Sequence, residues 1–176
     1  MSKMTRQQVV EKFKDIKLLA LDVDGVLTDD AIYFGPDGFE MKKFNISDGL
    51  FMVLALRSGL ELAIVSGRNS KATDTRMQDL GIKHVLQGMK DKTSMLAPLL
   101  EELRIGFDET AFVGNEILDI KLASKVGLSF AVADSTPELI ESVDYVTEKN
   151  GGKGAVREII EIYFEAMNID AKSLLV

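Results

Sequence analysis

The sequence contains no cysteine, a single histidine and no long apolar run. Without cysteine there is no disulfide, no thiolate metal site and no cysteine nucleophile, a composition that fits the cytoplasm. No stretch approaches the roughly 20 apolar residues of a membrane-spanning helix. The polar, charged residues 1–14 lack the apolar core of a signal peptide. We therefore expect a soluble cytoplasmic protein without a membrane partner.

The amounts of hydrophobic and charged residues set further limits. Of the 176 residues 46% are hydrophobic, which suffices for one folded domain over residues 1–176, and we find no linker, repeat or low-complexity segment. The formal net charge of −7 disfavours non-specific binding to nucleic-acid phosphates. An anionic small molecule remains possible as a substrate because it responds to the local charge.

Short apolar segments alternate with amphipathic ones along most of the chain. The predicted strands are 17–21, 61–65, 84–86, 110–113, 128–132 and 145–146. The predicted helices are 5–14, 48–58, 70–80, 91–103, 117–126, 136–142 and 155–167. This alternation indicates a three-layer, Rossmann-like α/β fold, with a parallel sheet between two layers of helices.

Residues 30–44 interrupt the alternation. They place apolar and aromatic residues on both sides of Gly35-Pro36-Asp37-Gly38, a pattern typical of a β-hairpin inserted after the first strand. An isolated hairpin is marginally stable and usually packs on something. Two interpretations stay open, packing on its own domain or on other subunits. At the other end of the chain, fraying is expected in the tail, residues 168–176.

Two acidic residues, Asp22 and Asp24, follow the first strand directly. In α/β sheets, ligands bind beyond the carboxyl ends of the strands, and stranded acids are costly unless a cation or a reaction needs them. Alternation along an extended chain points both side chains the same way. One carboxylate can then hold a cation and attack a substrate while the other handles a proton. The alternative is a plain acidic turn ending at Gly25.

Polar residues also follow other predicted strands or open the next helix. They are Ser66, Gly67, Lys92, Gly114, Asn115, Glu116 and, a turn later, Asp119. A hydroxyl and free N–H groups suit a phosphate, and a lysine adds positive charge. A ligand set of oxygen atoms without His or Cys favours Mg²⁺. Taken singly, each feature also fits a turn, a solvated lysine or an outward-facing acid.

The ordered combination resembles the haloacid dehalogenase (HAD) superfamily of phosphohydrolases over about residues 15–165. The first motif is Asp22-Val23-Asp24-Gly25-Val26-Leu27-Thr28. The segments 44–49, 66–68 and 151–158 are similar to those of capless members that dephosphorylate eight-carbon 3-deoxy sugar acids. Those enzymes are magnesium-dependent homotetramers in which the hairpins associate and help close the sites, and the tail can reach a neighbouring site. Phosphatases of nine-carbon sugar acids usually carry an acid where Arg68 stands.

The resemblance implies a role for each matched residue. Asp22 would be the nucleophile that forms an aspartyl-phosphate, Asp24 the general acid and then base, and Lys92 a catalytic cation. The metal ligands would be Asp22, Asp24 through its carbonyl, and Asn115. The substrate-binding residues would be Asn45, Ser47, Asp48, Gly49, Ser66, Gly67, Arg68, Arg76 and Lys92.

Two positions depart from the family pattern. Asn115 stands where an aspartate usually ligates magnesium, and Val53 replaces a usual basic residue. An amide oxygen still ligates magnesium but brings no negative charge, and Glu116 or Asp119 could compensate. The departures leave open a catalytically weakened relative that serves as a binding or regulatory module. The retained Asp22 and Asp24 favour an active enzyme.

Overall fold

The structure, a computed structural model, describes residues 3–175. Its centre is a six-stranded parallel sheet. The strands in chain order are β1 Leu18–Leu21, β4 Glu61–Ser66, β5 His84–Gln87, β6 Thr110–Gly114, β7 Leu128–Ala131 and β8 Tyr145–Val146. In space the order is β5-β4-β1-β6-β7-β8, so β1 lies between β4 and β6. The switch in strand order beside β1 is where an α/β sheet opens a crevice for a ligand.

Helices cover both faces of this sheet. They are α1 Arg6–Phe13, α2 Ile46–Arg57, α3 Lys71–Asp79, α4 Lys92–Leu103, α5 Ile120–Ala123, α6 Pro137–Ser142 and α7 Ala155–Ala166. Along β1, Leu19 and Leu21 pack in the core formed with α1, α2 and α7, whereas Leu18 and Ala20 pack in the core formed with α4, α5 and α6. This alternation explains why the strand is apolar at every position, and it confirms the predicted three-layer α/β fold. None of the helices among the described residues has the length and apolar character needed to cross a membrane.

Between β1 and α2 the chain forms the small antiparallel hairpin β2 Tyr33–Phe34 and β3 Glu40–Met41. The predicted hairpin is confirmed, but its strands are shorter than residues 30–44 suggest. A 3₁₀ turn at Pro36–Gly38 takes up the middle, where Asp37 and Gly38 have φ of 60° and 77°. Among the described residues, this hairpin and its turn are the only regular elements between β1 and α2.

The helix predicted over 117–126 is wrong in extent. The segment begins as a 3₁₀ turn, Ile117–Asp119, and only Ile120–Ala123 is α-helical. The Asp119 carboxylate accepts the N–H groups of Asn115 and Glu116, at 2.9 and 3.1 Å, which pulls the chain into a tight turn. Side-chain bonds of this kind compete with regular helix formation.

Fraying was also expected over the tail, and the structure differs there. Ala171–Leu174 forms a 3₁₀ turn. Arg57, at the end of α2, donates to the Leu174 carbonyl at 2.9 Å, and Leu174 packs against the core. The tail therefore packs against its own domain through Leu174. Val176 is outside the described residues.

Candidate active site

The loop after β1 begins with Asp22. Its N–H bonds to the Val113 carbonyl at 3.0 Å, and its carboxylate accepts the Val23 N–H at 2.7 Å. The next turn closes when Leu27 donates to the Val23 carbonyl at 2.9 Å. Gly25 has a φ of 81°, and a Cβ there would lie 1.9 Å from the Asn115 amide nitrogen. Only glycine fits both the backbone conformation and the close approach of the β6 loop.

Asp22 shares a buried ammonium with a second acid. Lys92 lies 2.8 Å from Asp22 and 2.5 Å from Asp119, and all three side chains are buried. The N-cap Asp91 accepts the Ser94 N–H at 3.2 Å, which begins α4 so that Lys92 is its first residue. Breaking such a buried network by removing one partner typically costs about 3–5 kcal/mol. Because Asp119 is buried and pairs with Lys92, it does not lie on the outer face of a helix, which was the alternative for this residue.

Burial dominates the ionisation of this cluster. Loss of hydration raises the pKa of the Asp22 carboxyl to about 7, although the Lys92 ammonium works in the opposite direction. Burial alone would lower the pKa of Lys92, but the charges of Asp22 and Asp119 outweigh it and raise that pKa. One ammonium faces two carboxylates, so a further cation would be needed to keep Asp22 ionised in a dry site.

Asn115 lies at the carboxyl end of β6, next to Asp22. Its side chain is buried, and its Oδ1 atom has no hydrogen-bond partner among the described residues. Buried polar atoms almost always have a partner, so an unpaired amide oxygen beside two aspartates fits a hard divalent cation. No group of three His, Cys, Asp or Glu side chains in residues 3–175 is arranged to hold a metal. The amide oxygen and a main-chain carbonyl would therefore have to complete the site.

Ser66 ends β4, on the other side of β1. It is buried, and its hydroxyl accepts the Arg68 N–H at 3.3 Å, so the chain turns tightly through Gly67. The Arg68 side chain is 44% exposed at the mouth of the site. A hydroxyl, a lysine and a flanking arginine at one sheet edge suit a phosphate group.

These elements enclose a cavity of about 180 Å³. It is lined by Asp22, Asp24, Asp30, Ser66, Gly67, Arg68, Lys90, Lys92, Asn115, Glu116, Leu118 and Asp119. The structure thus brings together nine of the residues singled out from the sequence. Asp30, Lys90 and Leu118 were missed because a loop residue of ordinary type gives no signal in a single sequence.

The other predicted substrate-binding residues do not line this cavity. Asn45 caps α2, accepting the Ser47 and Asp48 N–H groups at 2.8 and 3.2 Å. Asp48 is buried and accepts N–H groups at the start of α7, from Gly154 at 3.2 Å and from Arg157 at 2.8 Å. Burial raises the pKa of the Asp48 carboxyl.

Ser47, Gly49 and Arg76 are placed on the same side of the molecule. The Ser47 hydroxyl accepts from the Arg157 guanidinium at 3.0 Å. The Arg76 guanidinium approaches Gly49 so closely that a Cβ there would lie 2.3 Å away. Binding of substrate by these residues stays a prediction.

Two charged hairpin residues reach the site, although no sequence pattern identified them as site residues. Lys42 forms an ion pair with Asp24, and Glu40 accepts a hydrogen bond from Arg68 at 2.8 Å. Lys42 is 18 residues from Asp24 in sequence, and only the fold-back of the hairpin makes them neighbours.

Comparison with known proteins agrees with this geometry. Residues 84–160 match the family of haloacid dehalogenase-like hydrolases. The chain is 47% identical over 154 residues to the 3-deoxy-D-manno-octulosonate 8-phosphate phosphatase of Escherichia coli K12, covering 88% of this chain and 82% of that protein.

Solved structures agree as well. The phosphatase of the same name from Moraxella catarrhalis, in complex with magnesium, phosphate and the KDO molecule, superposes with a TM-score of 0.89. It is 38% identical, and the match covers 92% of this chain and 93% of that one. A HAD hydrolase from Legionella pneumophila gives a TM-score of 0.91 at 37% identity, covering 96% and 92%.

The fold and the site define a hydrolase of the haloacid dehalogenase-like type. Within that group, the chain belongs to the family of the 3-deoxy-D-manno-octulosonate 8-phosphate phosphatases, as its identity to the Escherichia coli protein over most of both chains shows.

Proposed function

We propose that this protein is a magnesium-dependent phosphatase that hydrolyses 3-deoxy-D-manno-octulosonate 8-phosphate to the free sugar acid and phosphate. The observation that carries the proposal is the shared cavity in which Asp22, Asp24, Ser66, Lys92 and Asn115 meet. The similarity to enzymes of that name supports the choice of substrate.

The reaction divides into two displacements at phosphorus. In the first, a carboxylate oxygen of Asp22 attacks the phosphorus, the bond to the sugar oxygen breaks, and Asp24 gives its proton to that oxygen. In the second, Asp24 takes a proton from water, the water oxygen attacks the phosphorus, and the bond to Asp22 breaks. Asp22 and Asp24 end as they began, and inorganic phosphate leaves.

The remaining residues hold the phosphoryl group while it moves. Lys92 and the Ser66 hydroxyl would face its peripheral oxygens, where charge stabilisation contributes most to phosphoryl transfer. Magnesium, held by Asp22, the Asp24 carbonyl and Asn115, would neutralise negative charge on the phosphoryl oxygens. Because Lys92 is already anchored by Asp119, it needs no rearrangement when the substrate binds.

The sugar-acid part of the substrate would lie on the Arg68 side of the cavity. Arg68 is an exposed cation at its mouth, and a guanidinium binds a carboxylate through two parallel hydrogen bonds. Asn45, Ser47, Asp48, Gly49 and Arg76 would shape the wall beyond it, either directly or through the packing of α2 on α7. Gly67 would bring the backbone close to the phosphate.

We also propose that the protein works as a homotetramer in the cytoplasm, where its product would serve lipopolysaccharide synthesis. The support is the hairpin, on which Phe34 and Phe39 are 68% and 66% exposed and Tyr33 and Met41 are exposed beside them. Apolar surface of this kind, concentrated on a small arm, marks a contact between proteins.

A phosphate-release assay tests the proposal. The purified protein with magnesium is offered 3-deoxy-D-manno-octulosonate 8-phosphate, a nine-carbon sugar-acid 9-phosphate and glucose 6-phosphate. We expect the highest kcat/KM for the eight-carbon substrate, with loss of activity in EDTA and in Asp22→Asn. A well-folded sample that releases no phosphate from any of them at high magnesium would support the binding-module alternative.

A further inference from the structure

Lys42, directly after β3, is buried to an unusual degree for a lysine. Only 1% of its side chain is exposed, and it forms ion pairs with Asp24 and with Glu40, the latter at 3.7 Å. A buried ammonium is unfavourable unless it is paired. The fold therefore keeps a cation beside the carboxylate of Asp24, which carries out the proton transfers in the proposed mechanism.

Glu40 extends this contact to the phosphate-binding loop. Its two carboxylate oxygens accept hydrogen bonds from the Ser70 hydroxyl at 2.7 Å and from the Arg68 guanidinium at 2.8 Å. The hydrogen bond from Ser70, together with the charges of Lys42 and Arg68, lowers the pKa of the Glu40 carboxyl. Glu40 therefore remains an anion between three donors and holds the ammonium of Lys42 in place.

Asp24 is consequently held from two sides. One carboxylate oxygen pairs with Lys42, and the other lies 3.9 Å from the Arg68 Nε atom. Asp24 sits in a loop and is partly exposed, so without these cations its side chain would be free to change rotamer. Proton transfer requires the carboxyl group to stay within hydrogen-bond reach of the sugar oxygen.

We propose that Lys42 is a positioning residue that fixes the orientation of the Asp24 carboxyl for proton transfer. Its burial leaves no room for contact with the substrate. This inference rests on the proposed function, because it takes Asp24 as the acid and base. The leaving group of the sugar-acid substrate would be a strongly basic alkoxide if it were not protonated, so its departure needs a well-placed acid. p-Nitrophenyl phosphate releases a stable phenolate and does not need one.

The test is the ratio of kcat/KM for the sugar-acid 8-phosphate to kcat/KM for p-nitrophenyl phosphate. This quantity reports the first displacement, in which the leaving group departs. We expect Lys42→Met to lower the ratio by about 10- to 100-fold, as misplacement of a catalytic group does, with most of the loss in kcat for the sugar-acid substrate. Lys42→Arg, which keeps the cation, should recover most of it.

Lys43→Met is the matched control. Lys43 is the neighbouring residue, but its side chain is 64% exposed and pairs with Asp29 outside the cavity. We expect this variant to keep the wild-type ratio. If Lys42→Met unfolds the protein, as judged by circular dichroism, Lys42→Gln keeps a buried hydrogen-bonding group without charge and should show the same lowered ratio.

An unchanged ratio in folded Lys42→Met or Lys42→Gln, including an equal loss for both substrates, would overturn the inference. Lys42 would then only stabilise the hairpin. Failure of the proposed function would look different. In that case the wild-type protein itself would release no phosphate from the sugar-acid substrate, whereas full activity of Asp24→Asn on it would contradict only the role of Asp24.

Discussion

Asn115 stands where the family resemblance led us to expect an aspartate, and its surroundings in the structure show whether the amide can take over the role of a metal ligand. The amide oxygen is buried and unpaired among the described residues, where it can face a cation. It brings no charge, whereas an aspartate there would add a full negative charge to the ligand set. The protein should therefore bind magnesium, but more weakly than with an aspartate.

We predict that Asn115→Asp raises the apparent affinity for magnesium by about tenfold or more, since ligand charge sets affinity for a hard cation. Asn115→Ala, which removes the ligand oxygen, should lower it. A magnesium titration of phosphatase activity and a calorimetric titration both measure the change. Identical titration curves for wild type and Asn115→Asp would mean that Asn115 does not ligate the metal.

The Asp22 carboxyl gives a prediction about pH. Its pKa of about 7 in the metal-free site means that it is protonated below pH 7 and ionised above. Magnesium binds the ionised form, so binding below pH 7 must release a proton, and the apparent affinity falls as the pH falls through that value.

Calorimetry at pH 6 in buffers of different ionisation enthalpy measures this proton. We expect close to one proton released per magnesium at pH 6 and almost none at pH 8. The Asp22→Asn protein should release none at either pH. Equal proton release by the wild type at both pH values would contradict the pKa.

How well residues could be predicted depends on what brings them together. Asp22, Ser66 and Asn115 end neighbouring parallel strands, so the sheet itself gathers them, and the sequence sufficed. Lys42 reaches Asp24 only because the hairpin folds back, which no local pattern encodes. Asp48 lies in a motif that suggested substrate binding, which stays a prediction, and its carboxylate also accepts an N–H group at the start of a helix 106 residues away.

Among the elements, the hairpin carries the most exposed apolar surface for its size. We predict that Phe34→Ser with Phe39→Ser dissociates the proposed tetramer, because both rings are largely exposed in the single chain and a hydrophobic contact between subunits would depend on their burial. Sedimentation velocity measures the assembly. Met167→Ser is the control, since Met167 is also exposed but lies beyond α7.

Unchanged sedimentation of the double variant, or a monomeric wild type, would rule out the hairpin as the contact. Lys42 and Glu40 sit on the same small element, so the variant should also be assayed for phosphate release. A loss of activity that follows dissociation would show that assembly supports the site.

Element boundaries followed from the sequence wherever periodicity and a stop signal agreed. The helix predicted at 155–167 is observed as α7 Ala155–Ala166, between a glycine-rich loop and a polar turn. The prediction for 117–126 failed because the Asp119 carboxylate bonds to the N–H groups before it. The spacing of apolar residues carries no sign of hydrogen bonds that backbone N–H groups donate to a side chain three or four residues later.

At the scale of the whole molecule, a protein of net charge −7 is proposed to bind a doubly anionic phosphate. The cavity does not resolve this by being positive, because Lys90, Lys92 and Arg68 share its lining with five acids, Asp22, Asp24, Asp30, Glu116 and Asp119. A bound Mg²⁺ would offset the excess of negative charge and let the cavity accept a phosphate. The fold class could be predicted because alternating strands and helices permit few topologies. The sequence left open whether the hairpin packs on its own domain or on other subunits, and the exposure of its apolar residues favours the second interpretation.

The central claim is that Asp22 carries the phosphoryl group during the reaction. A rapid acid quench of enzyme in excess over the sugar-acid 8-phosphate, followed by mass spectrometry of its peptides, tests this most directly. The account predicts a transient phosphoryl group on Asp22 that forms and decays at rates consistent with turnover, and none in Asp22→Asn. Full turnover with phosphate never bound to Asp22, or undiminished hydrolysis by Asp22→Asn, would contradict it.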